Sequence, residues 1–396
     1  MCIFAYFSCV LALNMSDTFD DIRPYVDAEI PAAMQRLTAN TAFPMIAAWL
    51  FPEWSVEKVR GILLSARSVR EFQETFMIPC VASIIKQTTD GVTFSGLEKL
   101  NKSKKYLLVS NHRDIVLDAM IITWKMLLEG LGTPEITFGA NLMKGELPID
   151  FGKSNKMFKV ERPSTTASPR EFFAFSQRLS AYIRNSVTVK HEHVWIAQRN
   201  GRTKDGDDAT DQGIIKMFGM SGPDDKVEAL AQLNIVPISV SYEWEPCDVL
   251  KVLEIYESSQ RGTYTKKPGE DMNSILTGLL APKGRVHFEI CDPVRKEDLL
   301  ALDGFTRSRF NKEVAELLDR RILGGYKLWP NNYIAHDIRF GQTRYASEYT
   351  PEQRNAFKER LATLSKFDTC DVDVLKDLML SIYSTPVDRV CGIVKK

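Results

Sequence analysis

The spacing of apolar and polar positions divides the chain into three stretches. Residues 16–75 carry the 3.6-residue period of helices, broken at Pro44 and Pro52. Within them the piece 42–54 is strongly apolar and aromatic, and a second apolar piece covers 76–85. Neither approaches the roughly 20 residues needed to cross a bilayer. Each is expected to be a buried core helix, with a helix resting in a lipid interface as the alternative. From Thr88 to Val294 short apolar runs alternate with helical patterns. Strands are expected at 92–95, 106–109, 136–139, 193–197, 235–241 and 285–290, and helices over 117–130 and 169–186. This alternation predicts an α/β fold with a mostly parallel central sheet flanked by helices. After Pro293 the chain turns helical and polar. Thr350-Pro351-Glu352-Gln353 is a capping box with proline in the first turn. The tail is expected to be a helical appendage without chemistry. The expected organisation is a helical N-terminal region over 1–87, an α/β domain over 88–294 and a helical extension over 295–396.

Composition narrows the classes. The 396 residues are 44% hydrophobic and 26% charged, which is ordinary for a globular chain. Lys plus Arg and Asp plus Glu both total 51. A net charge of zero argues against a dedicated nucleic-acid binder. The seven cysteines (2, 9, 80, 247, 291, 370, 391) form no C-x-x-C pair. They are expected as small core hydrophobes in a reducing compartment, not as disulfides or zinc ligands. The apolar run Ile3 to Leu13 lacks a basic leading region and is too short to span. Met15 is therefore expected to be the initiator, with a short membrane anchor as the alternative.

The stretch Val109-Ser110-Asn111-His112-Arg113-Asp114-Ile115-Val116-Leu117-Asp118 carries the candidate chemistry. His112-Arg113-Asp114, with Asp150-Phe151-Gly152 downstream, mimics two protein-kinase triplets. A kinase catalytic loop has Asn five residues after its Asp, where this chain has Ala119, and no glycine-rich phosphate loop precedes residue 112. The kinase reading is rejected. A histidine at a strand's carboxyl end stands where α/β proteins bind ligands. An aspartate one or two helical turns later can hold one ring nitrogen, leaving the other as general base toward a hydroxyl. Asp118 and Asp114 are both candidates for that partner, and Asp118 is favoured. No G-x-S-x-G elbow supplies a serine. His191 and His193 lack a third zinc ligand and are expected in surface or loop roles. No metal and no cofactor is expected.

The same stretch resembles the first block of the glycerolipid acyltransferases of the glycerol-phosphate and lysophosphatidic acid type. That block is an Asn-His followed by an Asp after four residues. Here five residues separate His112 from Asp118, which fits the variant His-Arg-Asp-Ile-x-Leu-Asp. The second block resembles Phe158, Lys159 and Arg162. The third, Glu-Gly-Thr-Arg-Ser in the family, resembles Arg199-Asn200-Gly201-Arg202, with Asn200 where the family has Glu and the Arg displaced by one. The fourth resembles Ile235-Val236-Pro237-Ile238. Four blocks in order span residues 106–241.

The resemblance implies transfer of an acyl group from a thioester of coenzyme A or acyl carrier protein. The acceptor would be a hydroxyl of glycerol-phosphate or a lysophospholipid, in phospholipid synthesis. His112 with Asp118 or Asp114 would be catalytic. Asn111, Arg113, Lys159, Arg162, Arg199, Gly201 and Arg202 would bind substrate, arginine being the best planar donor to phosphate. The enzyme would sit in the cytoplasm, peripheral on the inner face of the membrane, without a transmembrane helix. The alternatives are an acyltransferase for a non-phosphate acceptor and a lipid-binding relative without turnover. N-terminal sequencing of the native protein is expected to find Met15 first; a start at Met1 contradicts it.

Overall fold

Tyr106-Leu107-Leu108-Val109 has no polar alternation, the mark of a strand covered on both faces. In the computed structural model of the protein it forms β2 (Leu107–Ser110), buried throughout. The structure describes residues 19–161, 168–262, 264 and 266–392. Arg162, the apolar run 3–13 and Met15 lie outside them.

The other strands are β1 (Gly91–Ser95), β3 (Pro134–Gly139), β4 (Met157–Val160), β5 (His193–Ala197), β6 (Ile235–Tyr242) and β7 (Arg285–Ile290). Six of the seven lie at the expected places. β4 does not: its four residues are too few to show a period among neighbouring charges. The main helices are α1 (Ile30–Ala39), α2 (Phe43–Leu50), α3 (Val56–Ser65), α4 (Ile78–Thr88), α5 (Leu117–Leu128), α6 (Glu146–Ser154) and α7 (Pro169–Thr188). They continue with α8 (Asp248–Arg261), α9 (Glu270–Leu280), α10 (Arg307–Gly324), α11 (Pro330–Arg339), α12 (Pro351–Ala362) and α13 (Val372–Val390). The strand pairings β1–β7, β2–β6 and β3–β4 are parallel and β6–β7 is antiparallel. The fold is α/β with mostly parallel strands and flanking helices, as expected.

The compact units divide the chain differently from the three-part expectation. One takes the described residues up to Cys80 with Thr133–Val194; the other takes Val81–Gly132 and the chain from Trp195 onward. In the first unit Phe43, Ala47, Leu50 and Phe51 of the piece 42–54 and Phe76 and Met77 of the piece 76–85 are core. Phe51 stacks on Trp54 at 4.8 Å and meets Phe76 at 5.5 Å, and Phe151 closes on Phe72 at 6.1 Å. Helix α2 buries Phe43, Ala47 and Leu50. Asp150-Phe151-Gly152 lies inside α6, where Asp150 accepts from Tyr25 Oη at 2.8 Å and Arg36 Nε at 2.8 Å. It is a helical ion-pair site, with no likeness to a kinase metal loop.

In the second unit the strand order is β1, β7, β6, β2, with β5 beside β2 through a bond from Gln198 N–H to the Ser110 carbonyl at 2.8 Å. All eight residues of β6 are buried. The tail is helical, and it packs on the rest of the second unit. Thr350 and Gln353 do form the capping box of α12. Yet α11, α12 and α13 close an apolar cluster with Val252 of α8, around Phe357 and Tyr383. Pro386 inside α13 cannot donate to the Ile382 carbonyl four residues back. Gly206 packs on that carbonyl so tightly that a Cβ would approach it to 2.4 Å. The tail is part of the body that holds the loops after β2 and β5.

Burial bears on the cysteines and histidines. Cys80, Cys247 and Cys291 are buried, and burial pushes the Cys80 and Cys291 thiols up to about 12; Cys391 is exposed. His191 is an exposed loop residue, but His193 is buried in β5. Among the described residues no helix is long and apolar enough to cross a membrane.

Lys283 is buried, donating to the carbonyls of Leu279 at 3.2 Å and Ala281 at 2.6 Å, and burial pushes its amine down to about 8. Folding therefore expels a proton between about pH 8 and the usual lysine range, so stability rises with pH across that window. The melting-temperature difference between the wild type and Lys283→Met is expected to move in favour of the wild type from about pH 7 to about pH 10. A constant difference contradicts this.

Candidate active site

The loop 111–116 joins β2 to α5, and the start of that helix organises it. Asp114 Oδ1 accepts the N–H groups of Val116 and Leu117, both at 2.9 Å. These are donors that a helix start leaves without intrahelical partners. Asp118 follows in the first turn, where the helix dipole favours a negative charge. Its side chain is fully buried, and every donor around it comes from the loop or from β6. Oδ2 accepts from His112 Nδ1 at 2.9 Å, Arg113 N at 2.6 Å and Asp114 N at 2.9 Å. Oδ1 accepts from Tyr242 Oη at 2.7 Å. Burial first, and then Asp118, push the Tyr242 phenol well above its ordinary value, so it remains a donor.

With Nδ1–H given to a carboxylate, Nε2 carries the imidazole lone pair. The His112 side chain is 13% exposed against 0% for Asp118, so the ring is the member of the pair that a ligand can reach. Trp195 of β5 meets the ring edge-on, with centroids 5.6 Å apart. Of the two candidate partners, Asp118 is the one within hydrogen-bond reach of His112. Asp114 instead caps α5, and its Oδ2 has no partner among the described residues. Burial, and then the charge of Asp118, raise the Asp114 carboxyl.

The residues beside the dyad form the frame of this loop. Asn111 is buried and ties β2 to β6: Nδ2 donates to the Val240 carbonyl at 2.9 Å and Oδ1 accepts from Val240 N at 2.7 Å. Arg113 is fully buried between Asp208 and Glu245, 3.1 Å from the latter, above the ring of Tyr326. Burial opposes its charge, and the two carboxylates outweigh that and hold its pKa well above normal. Lys251 completes the network, donating to Glu245 at 2.5 Å and to the Arg113 carbonyl at 2.7 Å. Two cations thus meet two carboxylates in a dry interior, which holds only while all four are present. Asn111 and Arg113 had been expected to bind substrate. Both side chains are committed to internal partners.

The loop after β5 is clasped to His112. Thr203 N–H donates to the His112 carbonyl at 2.7 Å, and Thr203 Oγ1 to Asp208 at 2.6 Å. Arg202 is half-buried; its charge acts on Asp114 and on the Cys247 thiol, and its Nη1 has no partner among the described residues. Arg199 Nη1 donates to the Asp207 carbonyl at 3.1 Å. Gly201 has φ +77°, and a Cβ there would meet nothing within 4 Å, so the turn requires glycine for its backbone angle. Lys159 belongs to the first unit, where it pairs with Glu161 at 2.6 Å. Arg162 lies outside the described residues. No group of three or more His, Cys, Asp or Glu side chains among the described residues is placed to hold a metal ion.

No protein-family model matches the chain, and no curated protein sequence matches it. Among solved structures the chain is similar to the crystal structure of the 1-acyl-sn-glycerophosphate (LPA) acyltransferase of Thermotoga maritima. The TM-score is 0.34 and the identity 14%, over 73% of this chain and 95% of that chain.

The residues that pattern reading missed are Tyr242, Asp208, Glu245 and Lys251. Tyr242 looks like the last apolar position of a strand, and Asp208 sits in the acidic run Asp205-Gly206-Asp207-Asp208. Neither has a fixed spacing from His112. Tyr242→Phe leaves Asp118 Oδ1 without a partner in a buried site. It is expected to cost about 1–3 kcal/mol of stability. Chemical denaturation checks this; an unchanged variant contradicts the arrangement.

Proposed function

We propose that the protein is an acyltransferase that moves a fatty acyl group from a thioester to a hydroxyl of glycerol-phosphate or lysophosphatidic acid. The observation that carries this reading is the His112–Asp118 pair, with Nδ1 held at 2.9 Å by a buried carboxylate and no serine elbow to act as nucleophile. A histidine held in one tautomer, without a protein nucleophile, suits activation of a hydroxyl brought by the substrate.

The reaction is then a direct transfer. His112 Nε2 takes the proton of the acceptor hydroxyl as the oxygen attacks the thioester carbonyl. Asp118 stabilises the imidazolium that forms. The tetrahedral intermediate expels the thiolate, and the imidazolium returns the proton to it. No acyl-enzyme forms. Coenzyme A and acyl carrier protein both present such a thioester. Arg202, with one nitrogen unpartnered beside the loop, and Arg199 are assigned to the acceptor phosphate.

Acceptor-dependent thiol release from palmitoyl-CoA, with lysophosphatidic acid or glycerol-3-phosphate, tests the proposal. Release is expected with one of the two, falling on the order of a hundred-fold or more in His112→Ala while the melting temperature holds. Near wild-type turnover in that variant overturns the scheme. Lack of release with either acceptor, repeated with acyl carrier protein as donor, overturns the phosphate-bearing acceptor.

A further inference from the structure

The edge of a sheet carries free N–H and C=O groups that pair with any strand able to reach them, unless the edge is covered, charged or twisted away. The outer edge of β4 is covered: Lys159 N–H donates to the Ile22 carbonyl at 2.9 Å. Strand β1 has β7 on one side and no strand among the described residues on the other. Its Gly91, Thr93 and Ser95 are exposed. The register shows which backbone groups are free. Glu243 N–H donates to the Arg285 carbonyl at 2.9 Å and Cys291 N–H to the Pro237 carbonyl at 3.0 Å, so odd-numbered residues of β7 face β6 and even-numbered ones face β1. Val286 lies level with Val92 and Phe288 with Phe94, in parallel pairing. In that pattern Val286 and Phe288 bond to Gly91, Thr93 and Ser95, and the N–H and C=O of Val92 and Phe94 are left facing outward. The strand has no charge and no proline, and its register with β7 runs without a bulge.

We propose that β1 pairs with β1 of a second copy of this chain, antiparallel, about a twofold axis at Thr93. The axis sets Val92 of one copy against Phe94 of the other, twice, and each of these pairs exchanges two N–H···O=C bonds. Thr93 meets Thr93 at the close, non-hydrogen-bonded position between them. An aromatic against a β-branched residue and threonine against threonine are favoured cross-strand pairs. Further out Gly91 meets Ser95 and Asp90 meets Gly96, so no like charges oppose each other. A strand that complements itself in the register its free groups allow selects a second copy over an unrelated strand. The pairing uses the same edge of both copies, so it closes at two. The contact falls at the low end of specific interfaces, below about 1,200 Å² in total, and dimer exchanges with monomer as concentration changes. Pairing does not depend on the acyl-transfer reading.

Sedimentation velocity of the full chain from about 1 to 100 µM tests the assignment. The wild type is expected to pass from monomer to dimer across that range. Thr93→Lys brings two like charges together at the axis while leaving the backbone in place. It is expected to need at least about ten-fold more protein to dimerise, with its melting temperature kept, because the side chain replaced is exposed. A wild type that stays monomeric overturns the assignment, as does a Thr93→Lys variant that dimerises like the wild type. Cross-linking reads the register. Two Thr93→Cys residues face each other with Cα atoms about 4.5 Å apart, within disulfide reach, and mild oxidation is expected to link the copies. Two Ser95→Cys residues stand four positions out of register, about 13 Å apart, and are expected to stay unlinked. Equal cross-linking of the two variants overturns the twofold axis at Thr93.

Discussion

One buried carboxylate organises the candidate site. Asp118 has four donors around two oxygens, from His112, Arg113, Asp114 and Tyr242. An ionised carboxylate in a dry interior is stable only when its lone pairs are filled. The chain fills them by bending 112–114 around the first turn of α5, and that bend turns Nδ1 of His112 inward and Nε2 away from the acid. The same bend drives Arg113 into the interior, where Asp208, Glu245 and Lys251 balance it. The orientation of one imidazole and a buried ionic network are therefore consequences of a single anchoring group.

This explains why the helical tail cannot be detached from the site. Glu245 N–H is held by Tyr383 Oη at 2.9 Å, and Tyr383 in turn donates to Asp248 at 3.0 Å. Asp248 is paired with Arg360 of α12. Tyr326 lies under Arg113, Gly206 on the carbonyl freed by Pro386, and Asp207 beside Arg389 at 3.3 Å. Disturbing α12 or α13 disturbs the partners of Arg113, and through them the loop that presents His112. Distance along the chain is a poor guide to which residues belong to the candidate site.

Much of the fold was legible because buried strands leave continuous apolar runs. β2, β5 and β6 show this, as does α5 with its apolar surface after a capping aspartate. β4 was not legible, since four residues between charges show no period. The contact between His112 and Asp118 was legible because the two share one stretch and a chemical logic. The choice between Asp114 and Asp118 was not, because the bend that decides it depends on backbone donors, and sequence spacing shows only which acids are near. The internal bonds of Asn111 and Arg113 were not legible, for a related reason. A polar side chain beside a reactive histidine looks available until its buried partners, 95 to 132 residues away, are in view.

The central claim is that Asp118, and not Asp114, makes His112 a base. The most direct measurement compares the turnover of Asp118→Asn and Asp114→Asn, each with its melting temperature recorded. The account predicts that Asp118→Asn falls on the order of a hundred-fold or more, because an amide cannot fix the tautomer or stabilise the imidazolium, while Asp114→Asn keeps most of its rate. A rate retained in Asp118→Asn and lost in Asp114→Asn, with both proteins folded, would contradict it.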